Sequence, residues 1–378
     1  MKNTFGSNIQ YTLFGESHGE AIGIVIDGLP AGIALDLDLI ERQMEKRKAK
    51  GKISTQRKEA DQVKIISGYF NGHTSGTPLT ILIENTNVRS QDYARTQMLL
   101  RPSHADYSAH VKYRGFEDYR GGGHFSGRLT APIVAAGSIA MQILQQLGVQ
   151  IATHIEKLHD LEDVRFGQTI EEVETQIAYL QDRSFPTLDE TCGKAMIEKI
   201  EACAKQKDSV GGILESAAIH VPAGLGEPFF DSIESILAHL LFSIPAVKGV
   251  SFGSGFDFAN LYGSEANDAF ALKEGKIVTK SNHNGGINGG ITNGMPIHLH
   301  TVIKATPSIY QEQDSVDLQS GKEAKLTIKG RHDPAILHRA AVVVDSMIAI
   351  GLLEALCQQE AGLALIKQMS SNERGMIV

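Results

Sequence analysis

The alternation of apolar and polar positions divides the chain into a succession of strands and helices. "AIGIVIDGLPAG" is a continuous apolar stretch closed by a Gly-Leu-Pro turn, which predicts a buried strand from Ala21 to Ile26. A helix with a charged face follows, from about Asp38 to Lys48. "QVKIISGYF" and "TPLTILIEN" read as two strands joined by a turn over Asn71–Gly76. From Thr130 to Leu147 nearly every position is apolar and many are small (Ala135, Ala136, Gly137, Ala140), as in a helix buried on most sides. Pro132 is tolerated there because the first helical turn needs no donor.

Beyond this helix the pattern weakens. Residues 150–206 carry amphipathic helices of peripheral character, with Ile170, Val173, Ile177 and Leu180 marking one face. Asp231, with Glu234 three residues on, caps a helix whose stripe is Ile233, Ile236, Leu237, Leu240 and Leu241. Ile297, Leu299 and Thr301 alternate with His298 and His300, as on a strand. "GRHDP", at 330–334, leads into a second mostly apolar helix, "RAAVVVDSMIAIGLLEALC". Arg128 precedes "LTAPIVAAGSIA" much as Arg339 precedes "AAVVVDSMIAIG", and two copies of a sheet-plus-core-helix unit would explain the echo. No Pro/Ser-rich linker separates the halves, so the expected organisation is a single domain over residues 1–378, of α+β class.

Composition narrows the function. Of 378 residues, 42% are hydrophobic and 21% charged, ordinary globular values that exclude a disordered chain. The net charge of −8 gives no support to a nucleic-acid or anionic-membrane partner, and points arginine clusters toward a small anion. The three cysteines form no spaced framework and fit a reducing compartment. No signal-peptide core and no run of 18 apolar residues is present, so a soluble cytoplasmic protein is expected.

Four polar islands carry the candidate chemistry: "GESHG" (15–19), "RPSHAD" (101–106), "RGGGHFSGR" (120–128) and "GRHDP". Each pairs His or Asp with Gly or Arg; glycine lets backbone N–H groups approach an anion or flat ring, and arginine adds a planar fork. Any one of them reads as a turn, whereas four beside core elements point to a shared site. P-loop, nucleophile-elbow and Rossmann templates do not fit. His298 and His300 could pair on a metal, although a surface-facing strand rim accounts better for them. The basic run "EKRKAKGKISTQRK" (45–58) could fold over an anionic ligand or simply be a solvated helix end and loop.

Together these segments resemble the chorismate synthase family. The resemblance runs from about residue 8 to 355 through "FGESHGEAIGIVIDGLPAG", "STQRKEADQVKIISG", "IENTNVRSQDY", "RPSHADYSAHVKY", "DYRGGGHFSGRLTA", "VPAGLGEPFFD", "AVKGVSFGSGF", "SNHNGGINGGITNG" and "KGRHDPAILHRA". It implies a β-α-β sandwich with an internal duplication, assembled as a homotetramer. It also implies conversion of 5-enolpyruvylshikimate 3-phosphate to chorismate and phosphate by anti-1,4-elimination, with reduced FMN required and no net redox change. NADPH is the implied ultimate reductant, through this chain or a separate flavin reductase. By position, His18 falls near the substrate phosphate, His104 by the flavin N1/O2 edge, and Asp333 near flavin N5 as a relay for the C6 proton. Ser17, Arg47, Lys52, Arg101, Arg128 and Arg331 match substrate-binding positions. Flavin contacts are implied for His124, Phe125, Ser126, Ala246, Gly289, Lys304, Ala305, Thr306, Pro307, Ser308 and Arg331, and no metal is implied. The chain departs from the family where Arg-Ser-Ser-Ala-Arg-Glu is frequent and His124-Phe125-Ser126-Gly127-Arg128-Leu129 stands, at Pro245 in place of a common asparagine, and at Lys52 in place of an arginine. Two readings from other classes are a binding protein that kept the scaffold without catalysis and a metal-dependent hydrolase built on His298 and His300.

Overall fold

A computed structural model describes residues 2–375 except 50, 52, 55–60, 87–97, 182, 329 and 331, with side chains described as far as residue 360. The first half opens with strands β1 (Thr4–Phe5), β2 (Gln10–Gly15) and β3 (Ala21–Asp27), then helix α1 (Leu37–Arg47). Asp36 caps α1 by accepting from Leu39 N, and Lys46 and Arg47 close its last turn, as the helix dipole favours. Strand β4 (Lys64–Ser67) is followed by a small hairpin, β5 (Tyr69–Phe70) and β6 (His73–Thr74), and by β7 (Leu79–Glu84). Asn71 and Gly72 both have positive φ, so the expected long turn is an Asn-Gly hairpin turn with short strands of its own. The half ends with α2 (Asp106–Tyr113) and the buried helix α3 (Thr130–Gln146).

The second half contains β8 (Gln150–Leu158), β9 (Leu161–Glu162), α4 (Ile170–Gln181), α5 (Glu190–Lys205) and β10 (Gly212–Ile219). Helix α6 (Ile233–Phe242) and β11 (Val247–Phe252) follow, then the short helix α7 (Gly263–Ala266). Two hairpins come next, β12 (Phe270–Lys273) with β13 (Lys276–Thr279), and β14 (Ile287–Asn288) with β15 (Ile291–Thr292). Strand β16 (Ile297–Ile303), the hairpin of β17 (Glu312–Asp317) with β18 (Lys322–Thr327), and helix α8 (Leu337–Gly375) complete the order.

Each half builds one five-stranded antiparallel sheet, in the orders β1-β2-β3-β7-β4 and β9-β8-β10-β16-β11. The connectivity repeats. In the first, β2, β3, α1, β4, β7 and α3 follow one another with spatial strand order β2-β3-β7-β4; in the second, β8, β10, α6, β11, β16 and α8 do the same with order β8-β10-β16-β11. The short strands β1 and β9 occupy equivalent edges. The echo of Arg128 and Arg339 is therefore a true duplication, in an α+β sandwich whose helices lie between two sheets. Helix α1 packs on α3 and α6 on α8, and α3 packs on α8 between the sheets. At that crossing a Cβ on Gly137 would lie 2.3 Å from Ser346 Cβ, so only glycine allows the approach. One apolar cluster runs through both sheets and all four of these helices. Helices α3 and α8 are long and apolar enough to cross a membrane by composition alone, yet 89% and 83% of those windows are buried inside the protein.

Three expectations need correction. Gln150–Leu158 is a strand, not part of a peripheral helical region. Its polar residues are buried on both faces: Thr153 bonds Ser216 and Asp345, while His154 bonds Glu215, so no apolar alternation marks it. Ser232, rather than Asp231, caps α6, accepting from Ser235 N. His298 and His300 are not on a surface rim, because β16 lies between β10 and β11 and His298 is buried.

Candidate active site

A cavity of about 1470 Å³ opens where the helix layer ends. The N-terminal ends of α3 and α8 line it through Arg128, Thr130, Ile336 and Arg339, and the C-terminal ends of α1 and α6 through Arg47 and Phe242. Both copies of the duplicated unit thus contribute equivalent pieces. The two helix N-termini favour an anion and the two C-termini oppose it, so the preference for an anion rests on the arginines that these ends carry.

The wall from the first copy holds a buried cluster, Arg47–Asp61–Arg128. Arg47 Nη1 donates to Asp61 Oδ2 at 2.8 Å, and Arg128 Nη1 donates to the other carboxylate oxygen. Arg47 Nε donates to Thr130 Oγ1 at 3.0 Å and Arg128 Nε to Asn85 Oδ1 at 3.1 Å. Two guanidinium groups are thus held in place against one carboxylate. Asp61 and Asn85 were not foreseen, and the acid after the basic run in "RKEADQ" was the one available signal for Asp61.

Next to this cluster the Gly121–Gly123 turn has positive φ at all three residues. A Cβ on Gly121 would lie 2.1 Å from His18 Cε1, so glycine is what brings the cavity wall against that ring. Ser17 and His18 therefore sit one layer behind the wall and do not line it. Ser17 Oγ donates to Gly121 O at 3.0 Å, and His18 Nδ1 is 3.1 Å from that hydroxyl. His124 Nδ1 donates to Gly15 O at 2.8 Å, and Phe125 lines the cavity with 41% of its surface open, edge-on to Tyr113.

His104 also lines the cavity. Its Nδ1 donates to Pro102 O at 3.0 Å, and its Nε2 is 2.9 Å from Ser308 Oγ. Burial, helped by Arg101, pushes its pKa down to about 4, so the unliganded ring is neutral near pH 7. Arg101 forms a bidentate pair with Asp106 at 2.8 and 2.7 Å. Lys304 Nζ donates to Ser103 O at 2.7 Å, which ties the 304–308 segment to the histidine turn. Asp333 accepts from Arg339 Nη1 at 2.5 Å, and Arg339 Nε donates to Arg47 O at 2.9 Å, linking the two copies. Burial, together with Arg101, lowers the pKa of the neighbouring His332.

Of the expected site residues, His104, Asp333, Arg47, Arg101 and Arg128 line the cavity, as do His124, Phe125, Ser126, Ala246, Lys304, Pro307 and Ser308. Ala246 has φ of +77°, an uncommon conformation for a residue with a side chain. Ala305 and Thr306 are outside the lining, and Thr306 instead accepts through its carbonyl from Ser209. Gly289 lies away from the lining, in the turn between β14 and β15. Lys52 and Arg331 fall outside the described residues. His298 and His300 lie elsewhere, in a polar row on the second sheet where His300 Nδ1 donates to Glu156 at 2.8 Å. No group of three or more His, Cys, Asp or Glu placed to hold a metal occurs among the described residues.

Comparison with known proteins gives concordant matches. The family model described as chorismate synthase matches residues 9–357. A protein from Thermococcus kodakarensis named chorismate synthase is 42% identical over 362 residues, covering 96% of this chain and 99% of the relative. One of the same name from Synechocystis is 44% identical over 366 residues, with 96% and 99% covered. A solved structure titled as the crystal structure of chorismate synthase aligns with a TM-score of 0.74 at 27% identity, covering 94% of this chain and 93% of that one.

Proposed function

The chain belongs to the chorismate synthase family, and from that premise we propose how its cavity carries out the conversion of 5-enolpyruvylshikimate 3-phosphate to chorismate and phosphate. The enzyme is on this reading a carbon–oxygen lyase acting on a phosphate ester. The substrate brings a phosphate and two carboxylates, and the buried Arg47–Asp61–Arg128 cluster is the observation that carries the assignment. Its guanidinium groups are held by Asp61, Thr130 and Asn85 before any ligand arrives, so little side-chain ordering remains to oppose binding. Arg101, together with Lys52 and Arg331, completes the anion-binding set on the family resemblance.

Elimination breaks the C–O bond to phosphate and the C6–H bond, and forms a new double bond in the ring. The phosphate departs with the electron pair, and fixed cations meet the charge that grows on it. Asp333, oriented by Arg339, relays the proton lost from C6. His18 is assigned the proton on the phosphate side by the family motif, while its ring stands behind the Gly121 wall.

The residues present also fit reduced FMN. The cavity is larger than the roughly 300–1000 Å³ of a common small-ligand pocket, which leaves room for a flavin beside the substrate. The exposed Phe125 ring, the glycine turn and the left-handed Ala246 offer a flat ring close contact with ring and backbone. His104, His124, Ser126, Lys304, Pro307 and Ser308 would hold it, with Gly289, Ala305, Thr306 and Arg331 assigned by resemblance. When bound, reduced flavin supplies electron density that eases C–O cleavage without net oxidation. NADPH as ultimate reductant, homotetrameric assembly, a cytoplasmic setting and a single domain complete the reading. The exposed, adjacent rings of Phe229 and Phe230, 6.4 Å apart, are an apolar surface that self-association would cover.

The test is an anaerobic assay with reduced FMN and the phosphorylated substrate. Chorismate and phosphate are expected in equal amounts, with Asp333→Asn losing about 10²–10⁴-fold in turnover while still binding substrate. An inactive wild-type protein that binds both ligands would instead favour a scaffold retained without catalysis.

A further inference from the structure

The protein itself engages both ring nitrogens of His104. Pro102 O can only accept, so Nδ1 carries a proton. Nε2 faces the hydroxyl of Ser308 at 2.9 Å. Against a neutral ring that hydroxyl donates to the Nε2 lone pair; against a histidinium it accepts from Nε2–H. A hydroxyl does either by rotating, whereas a carboxylate, an ammonium or a methyl group would favour one state or neither.

The two residues come from different copies of the duplicated unit. His104 follows a turn in which Ser103 has φ of +59° and His104 N donates to Arg101 O at 3.2 Å. Ser308 lies just beyond β16, in the segment that Lys304 ties to Ser103. We propose that Ser308 is a positioning residue, which orients the His104 ring and reverses its hydrogen bond when the ring gains or gives up a proton. This rests on the reading that His104 acts inside the cavity. Of the charged groups facing the ring, Arg101 and Lys304 disfavour a histidinium and Asp106 favours it. Burial weighs more than any of these and keeps the unliganded ring neutral, and an anion bound beside it would shift the balance toward the charged form. Ser308 serves both states without a change of rotamer at the histidine.

The measurement is made on the full unliganded protein labelled with ¹⁵N-histidine, the His104 signals being assigned by their loss in His104→Gln. The wild-type ring should show the Nδ1–H tautomer with a hydrogen-bonded Nε2. In Ser308→Ala the Nε2 signal should move toward that of an unbonded ring nitrogen. The titration midpoint should fall below the wild-type value, because a histidinium loses a charge-assisted partner and a neutral ring only a weaker one. Ser308→Thr should restore both. In the flavin-loaded enzyme, kcat should fall about tenfold or more in Ser308→Ala with KM little changed, and recover in Ser308→Thr. An Nε2 signal and midpoint unaltered in Ser308→Ala would overturn the proposal, as would Ser308→Thr behaving like the alanine variant. Because the magnetic resonance measurement needs neither ligand nor turnover, it judges Ser308 even if the wild-type protein makes no chorismate.

Discussion

Arg128 meets the cavity with its guanidinium already engaged by Asp61, Asn85 and the Glu84 carbonyl. Such a group binds an anion as a preset fork, and its loss should weaken substrate binding more than it slows chemistry. A charge-assisted hydrogen bond contributes about 1.5–3 kcal/mol, so Arg128→Ala should raise the apparent KM for the phosphorylated substrate about 10–100-fold. Arg128→Lys keeps the charge without the fork and should recover only part of this. Steady-state kinetics on protein with an unchanged thermal midpoint decides the matter, and an unchanged KM in Arg128→Ala would remove Arg128 from the substrate site. At this scale the sequence revealed the arginine but not what holds it. Asp61 lies 67 positions away, and no local pattern announces a partner at that distance. Ser17 and His18 show the converse: "GESHG" was legible as chemistry, yet their place behind Gly121 depends on a contact between segments about 100 residues apart.

At the scale of elements, legibility followed burial of apolar faces. Helices α1, α4 and α6 were readable because one period dominates each, and α3 and β3 because each is a nearly continuous apolar run. Strand β8 was not, since it fastens the α4–α5 excursion through polar groups. His154 donates to Glu215 at 2.7 Å and contacts Asp163 at 3.3 Å, and Asp163 accepts from Leu188 N and Asp189 N. Burial opposes a charge on His154 and His300, but bonds to Asp163 and Glu215 for the first and to Glu156 for the second outweigh it and raise both pKa values. Their stabilisation is therefore full below the unfolded value of about 6.5 and is lost as pH rises through the folded values. Glu156 and Asp163 are lowered by those partners despite burial, and contribute stability that is lost as pH falls through their folded values. His104 and His298, held near 4 chiefly by burial, and His338, held near 3, take stability away as pH falls below about 6.5. Urea midpoints should thus decline on both sides of neutrality. His154→Gln should flatten the alkaline limb, and a wild-type midpoint that climbs steadily from pH 7 to 9 would contradict this.

For the whole molecule, the echo of Arg128 and Arg339 was the visible trace of a duplication in which strand order, helix placement and edge strands all recur. The insertions hid the rest: α4 and α5 interrupt the second copy after β9, and three hairpins lie between β11 and α8. Glu354 on α8 accepts from Ser7, Asn8 and Ile9 N–H at 2.7–3.0 Å, tying the first copy to the last helix. The duplication also explains where the cavity lies, since it joins two helix N-termini with arginines from both copies. In an elimination at this joint site, reduced flavin is expected to be required but not consumed. An anaerobic progress curve measures that most directly, with FMN reduced photochemically, no nicotinamide present and the phosphorylated substrate in large excess. Many equivalents of chorismate per flavin are expected, with phosphate in equal amount and none with oxidised FMN; product that stops at one equivalent per flavin, or forms as readily with oxidised FMN, would show that the flavin is consumed or that its reduced state is not needed.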